Sequence, residues 1–352
     1  MALPPQGRPV ITPRVSTRPV PWVCGQCGTT VVPDATTWRC ACGGAYSFTE
    51  LHVAPPESLP AVTMGEGDTP LLSLDLSGGP VLAKAEFDSP SGSFKDRGAA
   101  MLVAAAVDVG ATHLVADSSG NAGVAIATYA GHAGLTCEVF VASTTAPDKI
   151  SRISDTGSIV ELIDGNREAV ASAAVARVES CGAFYASHVW NPWFLEGTKR
   201  YVYELVEQLG RLPRVLVLPA GNGTLVLGAW RAFQELERVT PIIAVQAAAC
   251  APVARAFALG RDHVDPVQNE GTAATGIAIA APVRGDEILA AVRATGGTFV
   301  TVTDDELAAA QQELAVAGFD VEPTAAAPAA AAHRIADDLV IPIASARQRQ
   351  RA

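Results

Sequence analysis

The sequence predicts an α/β protein with a parallel sheet, preceded by a small cysteine-bearing module. From about residue 60 onward, short apolar strand patterns alternate with helical patterns, and this alternation is typical of parallel sheets. Before that region, four of the seven cysteines fall within 19 positions. The 352 residues suffice for two or three domains with a sizeable buried core.

Composition and charge exclude several classes of protein. Hydrophobic residues make up 49% of the chain and charged residues 17%, as expected for a globular rather than a disordered protein. A net charge of −11 argues against binding to nucleic acid or to an anionic membrane surface. No apolar stretch reaches the roughly 20 residues that span a bilayer. We therefore expect a soluble, cytoplasmic protein without a nucleic-acid or membrane partner.

The first 21 residues predict a flexible leader. They contain three Arg, six Pro and no acidic residue, but not the apolar segment of a secretory signal. Arg enrichment without acidic residues is also a feature of transit peptides, although Pro at this density opposes the amphipathic helix that such a peptide needs. We expect residues 1–21 to form a leader and residues 346–352 a short tail.

The cysteine-bearing module, residues 22–50, has the ligand spacing of a zinc ribbon. Cys24 and Cys27 form a C-x2-C pair, Cys40 and Cys42 follow as C-x-C, and glycines adjoin the thiols. Four thiolates at about 2.3 Å close the Zn²⁺ shell and leave no position for catalysis. Two disulfides are the alternative, but nothing else in the sequence indicates an oxidising compartment. We predict a structural zinc site.

The α/β region predicts several buried strands and two helices with recognisable ends. The strands cover residues 113–117, 135–141, 158–163, 214–218 and 339–343. Thr303 and Glu306 form a capping-box pattern ahead of an apolar helix that ends at Gly318. Because Ala favours helix, the run over residues 325–332 predicts a helix that starts or is broken at Pro328.

Two glycine-bearing loops are candidates for ligand binding, because ligands of open α/β sheets bind beyond the carboxyl ends of strands. The loops consist of Ser118, Ser119, Gly120 and Asn121, and of Gly221, Asn222, Gly223 and Thr224. Each follows a predicted strand and opens a helix, where backbone N–H groups and the helix dipole favour an anion. Taken alone, each loop is equally consistent with an ordinary turn.

A third segment supports a functional interpretation of these loops. Residues 91–98 read Ser-Gly-Ser-Phe-Lys-Asp-Arg-Gly and carry Lys95. Together with the two loops in this order, the segment resembles the signature of fold-type II pyridoxal-phosphate enzymes, and the best match is the threonine synthase family. The resemblance continues through residues 65–71, 275–279 and 322–323, and so covers nearly the whole chain after residue 60. A four-cysteine ribbon is also found in some threonine synthase-like proteins.

The resemblance implies a two-lobed fold of the tryptophan synthase β type, with parallel sheets and the cofactor in the cleft between the lobes. Residues 88–192 would form the smaller lobe. Residues 52–87 and 193–345 would form the larger lobe, which binds pyridoxal phosphate. The resemblance also implies a homodimer.

The resemblance further implies roles for single residues. Lys95 would form the Schiff base with pyridoxal 5′-phosphate and then serve as general base on an amino-acid substrate, since burial can lower the pKa of an amine. Residues 221–224 would hold the cofactor phosphate, Asn121 the ring 3′ oxygen, and residues 118–120 the substrate carboxylate. Asp96 and Arg97 would brace the lysine segment rather than react.

Ser345 is the candidate partner of the pyridine nitrogen. The family places a Thr or Ser after the last core strand, ahead of a Gly-rich turn. In this chain the hydroxyl is displaced by one position and the glycine is missing. A neutral hydroxyl partner would leave the nitrogen largely unprotonated.

The substrate site departs from the family pattern. Threonine synthase acts on O-phosphohomoserine, whose phosphate is bound by an Asn, a Ser and an Arg in one segment and by a Thr after the Ser-Thr-Gly-Asn loop. His188, Val189, Phe194 and Ala122 stand at these positions in this chain. Losing three charge-assisted hydrogen bonds of about 1.5–3 kcal/mol each would weaken phosphate binding on the order of a thousandfold or more.

Two explanations remain open for this departure. Either the substrate phosphate is bound by other residues, or the substrate carries no phosphate there. The replacement residues would be Lys149, Arg152, His188 or Lys199. In the second case, Trp190, Trp193 and Phe194 line a pocket for an apolar or bulkier side chain, unless they pack an interdomain wall.

Three functions are therefore compatible with the sequence. The first is a threonine synthase-like lyase that performs γ-elimination and hydration through a Lys95 Schiff base. The second is a β-elimination or β-replacement enzyme for a different amino acid in a biosynthetic side pathway, which needs only Cα deprotonation and a β leaving group. The third is a non-catalytic protein that binds pyridoxal phosphate. Retention of Lys95, Asn121 and the phosphate loop argues against the third.

Overall fold

The computed structural model describes residues 20–335 and 339–346. The predicted leader and tail therefore lie outside the described residues, except for residues 20, 21 and 346. Within the described part, no helix has both the length and the apolar character needed to cross a membrane.

The elements alternate along the chain as predicted. The strands are β1 (Trp22–Cys24), β2 (Thr30–Val31), β3 (Tyr46–Phe48), β4 (Leu71–Leu76), β5 (Gly79–Lys84), β6 (His113–Ala116), β7 (Thr136–Ala142), β8 (Ile159–Ile163), β9 (Phe184–Tyr185), β10 (Val215–Pro219), β11 (Ile242–Ala247), β12 (Thr298–Val302) and β13 (Leu339–Pro342). The helices are α1 (Leu59–Val62), α2 (Lys95–Asp108), α3 (Asn121–His132), α4 (Pro147–Ser154), α5 (Arg167–Cys181), α6 (Pro192–Thr198), α7 (Arg200–Leu209), α8 (Thr224–Leu236), α9 (Pro252–Ala258), α10 (Gly285–Ala294), α11 (Asp304–Val316) and α12 (Pro323–Ala332). All five predicted strands are confirmed, with each end within one residue of its predicted position.

The cysteine-bearing module folds as a three-stranded antiparallel sheet in the order β2-β1-β3. Its apolar side consists of Trp22, Tyr46 and Phe48, all buried. Cys24 and Cys40 are buried beside these rings, whereas Cys27 and Cys42 are exposed. The module thus has an aromatic core on one side and four thiols at one end.

The tryptophans that follow the segment with His188 pack against this module. The rings of Trp190 and Trp38 lie 5.5 Å apart, and those of Trp193 and Phe48 lie 4.7 Å apart, each pair edge to face. Such aromatic pairs stabilise an interface beyond the area they bury. Of the two interpretations of these tryptophans, the structure shows the packing wall, which lies between the ribbon and the body of the protein.

The smaller of the two α/β sheets is fully parallel, in the order β8-β7-β6-β9. Its strands all come from residues 88–192, the segment that the family resemblance assigns to the smaller lobe. Helix α5 begins where the side chain of Asn166 accepts a hydrogen bond from the backbone N–H of Ala169. It ends at Gly182, whose φ of 66° is the left-handed conformation that glycine adopts without strain.

The larger sheet has the order β12-β11-β10-β13-β5-β4 and is parallel except for the hairpin of β4 and β5. Its central strands β10 and β13 are buried along their whole length. Such continuous apolar runs are expected where helices cover both faces of a parallel sheet. The capping box predicted for α11 is confirmed, because the side chains of Thr303 and Glu306 each bond to the other's backbone N–H.

The prediction that Pro328 starts or breaks a helix is wrong. Helix α12 begins at Pro323 and continues through Pro328 to Ala332. A proline inside a helix removes one backbone hydrogen bond and crowds the preceding turn. The cost is offset here by burial, since every residue from Ala325 to Ala332 is buried against the larger sheet.

Buried ion pairs fix the start of α2, which carries Lys95. Arg97 donates from Nε to Glu86 Oε2 at 2.7 Å and from Nη2 to Glu204 Oε2 at 2.7 Å, and Lys84 Nζ contacts the same Glu204 oxygen at 2.7 Å. Burial by itself would raise the pKa of Glu204, but hydrogen bonds and charge from Arg97 and Lys84 lower it to about 2. The expectation that Arg97 braces the lysine segment is thus confirmed.

Removing the guanidinium from this cluster should destabilise the fold. We expect Arg97→Met to lower the free energy of unfolding at pH 7 by about 3–5 kcal/mol, because two buried carboxylates lose their main counter-charge. Urea unfolding followed by circular dichroism measures the change. Arg293→Met is the matched control, since Arg293 pairs with the exposed Asp262 and should matter little. Equal stabilities of the two variants would contradict the assignment.

Candidate functional site

A cleft of about 550 Å³ lies between the two α/β sheets. Loops that follow β6 and β10, the start of α2 and the end of β13 all face it. The predicted site residues that line it are Lys95, Ser118, Ser119, Gly120, Asn121, His188, Gly221, Asn222, Gly223, Thr224 and Ser345. Residues separated by up to 250 positions in sequence are thereby brought into one cavity.

Lys95 is half-buried at the first turn of α2, with its amine enclosed by the walls of the cleft. Its Nζ lies 3.6 Å from the centre of the Phe94 ring. Burial lowers the pKa of this lysine to about 7, and the negative charge of Glu322 opposes part of that shift. The backbone N–H of Phe94 donates to Ala344 O at 3.0 Å, which ties the lysine segment to the end of β13. At neutral pH a large fraction of the amine is therefore unprotonated and available as a nucleophile or base.

Residues 221–224 form a cradle for a phosphate at the start of α8. Gly223 has a φ of 72°, and a Cβ at Gly221 would lie 2.6 Å from Gly276 O, so neither position accepts a side chain without movement. Thr224 is buried at the first turn of the 13-residue helix. Free N–H groups and the positive end of the helix dipole favour an anion at this place. The chemistry of the loop fits the phosphate of a cofactor.

Glu322 connects the two residues predicted to contact the cofactor ring. Its Oε2 accepts hydrogen bonds from Asn121 Nδ2 at 3.0 Å and from Ser345 Oγ at 3.0 Å. Ser345 is 3% exposed and forms an isolated bridge with Ser93, two residues before Lys95. The sequence motif Glu-Pro at 322–323 is part of the family resemblance, but only the fold shows that this carboxylate reaches the cleft.

His188 lies against the phosphate cradle, with its Nε2 3.3 Å from Asn222 Nδ2. Burial lowers its pKa to about 3, helped by the positive charges of Lys95 and Arg167. The ring is therefore neutral at physiological pH. It offers a hydrogen bond to a ligand but no positive charge.

Phe194 does not line the cleft. Its ring is fully buried and packs against Gly98 so closely that a Cβ there would lie 2.4 Å from it. Helices α2 and α6 approach each other at this contact. A substrate role for Phe194, as predicted from its sequence position, therefore has no support in the geometry.

The cations that could bind an anionic substrate group are not those of the family pattern. Lys149 and Arg167 line the cleft on the side of the smaller sheet. Arg167 Nη2 donates to the buried carboxylate of Asp117 at 2.6 Å, and this pair could not be identified from sequence. Lys199, considered above as a replacement, is instead buried with its amine on the carboxylates of Glu196 and Glu235.

Arg152 occupies an intermediate position at the edge of the cleft. Its guanidinium contacts Asn121 Oδ1 at 3.4 Å, Ser91 O at 3.5 Å and Glu322 Oε1 at 3.9 Å. These weak contacts orient Arg152 toward the ring-binding residues. It supports their arrangement more directly than it faces a substrate side chain.

The four cysteines of the ribbon form a candidate metal centre. Their sulfur atoms all lie within 4.8 Å of one another. The Sγ atoms of Cys24 and Cys42 are 3.5 Å apart and those of Cys27 and Cys40 are 3.6 Å apart. Both distances exceed the roughly 2.05 Å of a disulfide, and they match the edge of about 3.8 Å in a tetrahedron with 2.3 Å metal–sulfur bonds. The four thiols fit one metal ion.

Comparison with known proteins agrees with the geometry of the cleft. Residues 62–343 match the family described as pyridoxal-phosphate dependent enzyme. The threonine synthase of Methanosarcina acetivorans is 33% identical over 322 residues, which cover 88% of this chain and 78% of that protein. The threonine synthase of Mycobacterium leprae is 33% identical over 278 residues, covering 76% and 75%.

Solved structures share the fold at lower sequence identity. The T.th. threonine deaminase superimposes with a TM-score of 0.72 at 24% identity, covering 84% of this chain and 97% of that one. Maize serine racemase gives a TM-score of 0.73 at 20% identity, with coverage of 84% and 94%. With a buried lysine, a phosphate cradle and these relatives, the chain belongs to the pyridoxal-phosphate dependent enzyme family, has the fold of its type II members, and is homologous to threonine synthases.

Proposed function

We propose that the protein is a pyridoxal-phosphate-dependent lyase of the threonine synthase type, which deprotonates an amino acid at Cα and eliminates or replaces a group at Cβ or Cγ. The observation that carries this proposal is the amine of Lys95, buried in the cleft with its pKa lowered to about 7. An amine that is uncharged near neutral pH suits both covalent attachment of the cofactor and proton transfer at Cα.

Most of the residues of the cleft bind the cofactor or the substrate, and Lys95 reacts. Pyridoxal phosphate, when bound, supplies an electron sink for negative charge at the substrate Cα. Residues 221–224 would hold its phosphate, and Asn121 and Ser345 would contact its ring. Residues 118–120 hold the substrate carboxylate at the start of α3, where the helix dipole favours an anion. Lys95 Nζ accepts the Cα proton and returns it.

Two observations bear on the group that leaves the substrate. Lys149 provides positive charge in the cleft, beside Arg167, whose charge is shared with Asp117, and this favours a phosphorylated side chain as in O-phosphohomoserine. The neutral ring of His188 and the burial of Val189 and Phe194 instead favour a second candidate, a β-elimination or β-replacement enzyme for a substrate without that phosphate. Similarity to threonine synthases over most of the chain supports the first candidate.

The arrangement of the four cysteines supports a structural rather than a catalytic role for an ion bound by them. Four thiols complete a tetrahedral shell, so that an ion bound there has no open position for substrate. We assign Zn²⁺ to this centre because an all-cysteine tetrahedral set is typical of it.

The pH dependence of cofactor capture tests the assignment of Lys95. The pKa of this lysine is lowered, so the neutral amine predominates above about pH 7. We expect the rate of borohydride-reducible adduct formation by apoprotein to rise about tenfold per pH unit below pH 7 and to level off above it. For a peptide with an exposed lysine, the rate of adduct formation should keep rising to about pH 10. Peptide mapping locates the adduct.

Two variants control this measurement. Lys95→Ala should form no adduct, whereas Lys149→Ala, which removes another lysine of the same cleft, should keep the adduct and its pH profile. An adduct that maps to a peptide without Lys95 would remove the assigned base from the proposal.

The leaving group is tested with O-phospho-L-homoserine and L-serine. We expect release of phosphate and formation of threonine from the first, with less keto acid from the second. Lys149→Met should raise KM for O-phospho-L-homoserine by about tenfold or more, because one charge-assisted hydrogen bond is lost, and leave KM for L-serine unchanged. No turnover of the phosphorylated substrate, together with rapid keto-acid formation from L-serine, would select the second candidate.

A further inference from the structure

Arg284 is a buried cation whose hydrogen bonds join three separate parts of the molecule. It is 2% exposed. Its Nε donates to Val189 O at 2.8 Å, and its Nη2 donates to Tyr46 O at 2.6 Å and to Trp190 O at 3.2 Å. Its Nη1 reaches Ser47 Oγ at 3.3 Å and the carboxylate of Glu287 at 2.9 Å. One side chain thus contacts the ribbon, the segment beside His188, and helix α10.

On the ribbon side, these contacts lie close to the metal centre. Tyr46 and Ser47 belong to β3, which pairs with β1 so that Tyr46 lies opposite Cys24. The carboxylate of Glu287 lies 3.9 Å from where a Cβ of Gly25 would be, directly after the ligand Cys24. A module of three short strands has too small a core to fold alone, so a bound ion would supply much of its folding free energy.

On the cleft side, Arg284 adjoins the two segments that border the phosphate cradle. Val189 and Trp190 follow His188, whose Nε2 lies 3.3 Å from Asn222 in the cradle. Arg284 also directly precedes α10, and Ile288 in the first turn of that helix packs under Gly223, where a Cβ would lie 2.3 Å from its side chain. The position of the cradle therefore depends on two segments that Arg284 holds.

We propose that Arg284 is a positioning residue through which the metal-bound ribbon sets the affinity of the cleft for pyridoxal phosphate. This inference rests on the proposed function, because it assigns the phosphate of that cofactor to residues 221–224. When the ribbon loses its metal, Arg284 loses Tyr46 O and Ser47 Oγ as acceptors. A buried guanidinium with too few acceptors is costly, so it moves toward water and releases Val189 and Trp190.

A purely structural ribbon makes a different prediction. If the ribbon only covers the aromatic wall of Trp190 and Trp193, losing its metal lowers the overall stability but leaves the cofactor affinity of the folded protein unchanged. The affinity for pyridoxal phosphate, measured on protein that is still folded, therefore separates the two roles.

The experiment titrates full-length apoprotein with pyridoxal phosphate and follows the visible absorbance of the bound cofactor. Arg284→Met should bind the cofactor about tenfold more weakly while keeping one metal ion per chain, since its effect lies beyond the metal centre. Cys27→Ser should lose the metal, and its affinity for the cofactor should fall to a similar extent. The double variant should be no weaker than either single variant, because both changes interrupt the same connection.

Controls separate this inference from the proposed function and from misfolding. Arg293→Met, a variant of a half-buried arginine in the last turn of α10 that pairs with the exposed Asp262, should keep the native affinity. If Arg284→Met does not fold, stripping the native chain of metal with a chelator and restoring Zn²⁺ should lower and recover the affinity without any mutation. Unchanged affinity after metal removal, or additive effects in the double variant, overturns the inference. Failure of the native chain to form an adduct at Lys95 instead overturns the proposed function.

Discussion

The cleft depends on holding one amine where its positive charge is disfavoured, so that its pKa is lowered to about 7. Lys95 is enclosed at the first turn of α2, where the positive end of the helix dipole adds to the cost of protonation. The backbone at Lys95 is fixed on one side by Arg97, which is held by two buried carboxylates, and on the other side by the bridge of Ser93 to Ser345. Residues distant in sequence therefore position the start of α2 and, with it, a single nitrogen.

The glycine-bearing loops of the cleft keep the residue types of the family pattern, whereas the segment from His188 to Phe194 departs from it. In the family pattern this segment supplies side chains to a substrate phosphate. In this chain Phe194 fills the contact between α2 and α6, and Trp190 and Trp193 pack on the ribbon. On the side of the smaller sheet, the cleft is lined by Lys149 and by Arg167, which is paired with Asp117.

Features that depend on local sequence were predictable, and features that depend on distant partners were not. Strand ends fell within one residue because each apolar run is bounded by turn residues, and the Thr303 capping box needs only four consecutive residues. Lys199 and Phe194 were misplaced because their surroundings come from α8 and α2, elsewhere in the chain. Pro328 was misjudged for the same reason, since burial against the sheet outweighs its local cost. Glu322 and Arg284 carry no sequence signal of the contacts that the fold gives them.

The attachment of the ribbon also depends on the kind of hydrogen-bond acceptors that surround Arg284. Three of its partners are backbone carbonyls, at Tyr46, Val189 and Trp190, and Glu287 is its only carboxylate partner among the described contacts. Carbonyl dipoles stabilise a buried charge only when several converge on it, so the arrangement is cooperative among the segments that supply them. A surface ion pair in the same place would tolerate the loss of one partner. Because this guanidinium is buried, the ribbon and the segment that borders the cradle each stay ordered only while the other is ordered.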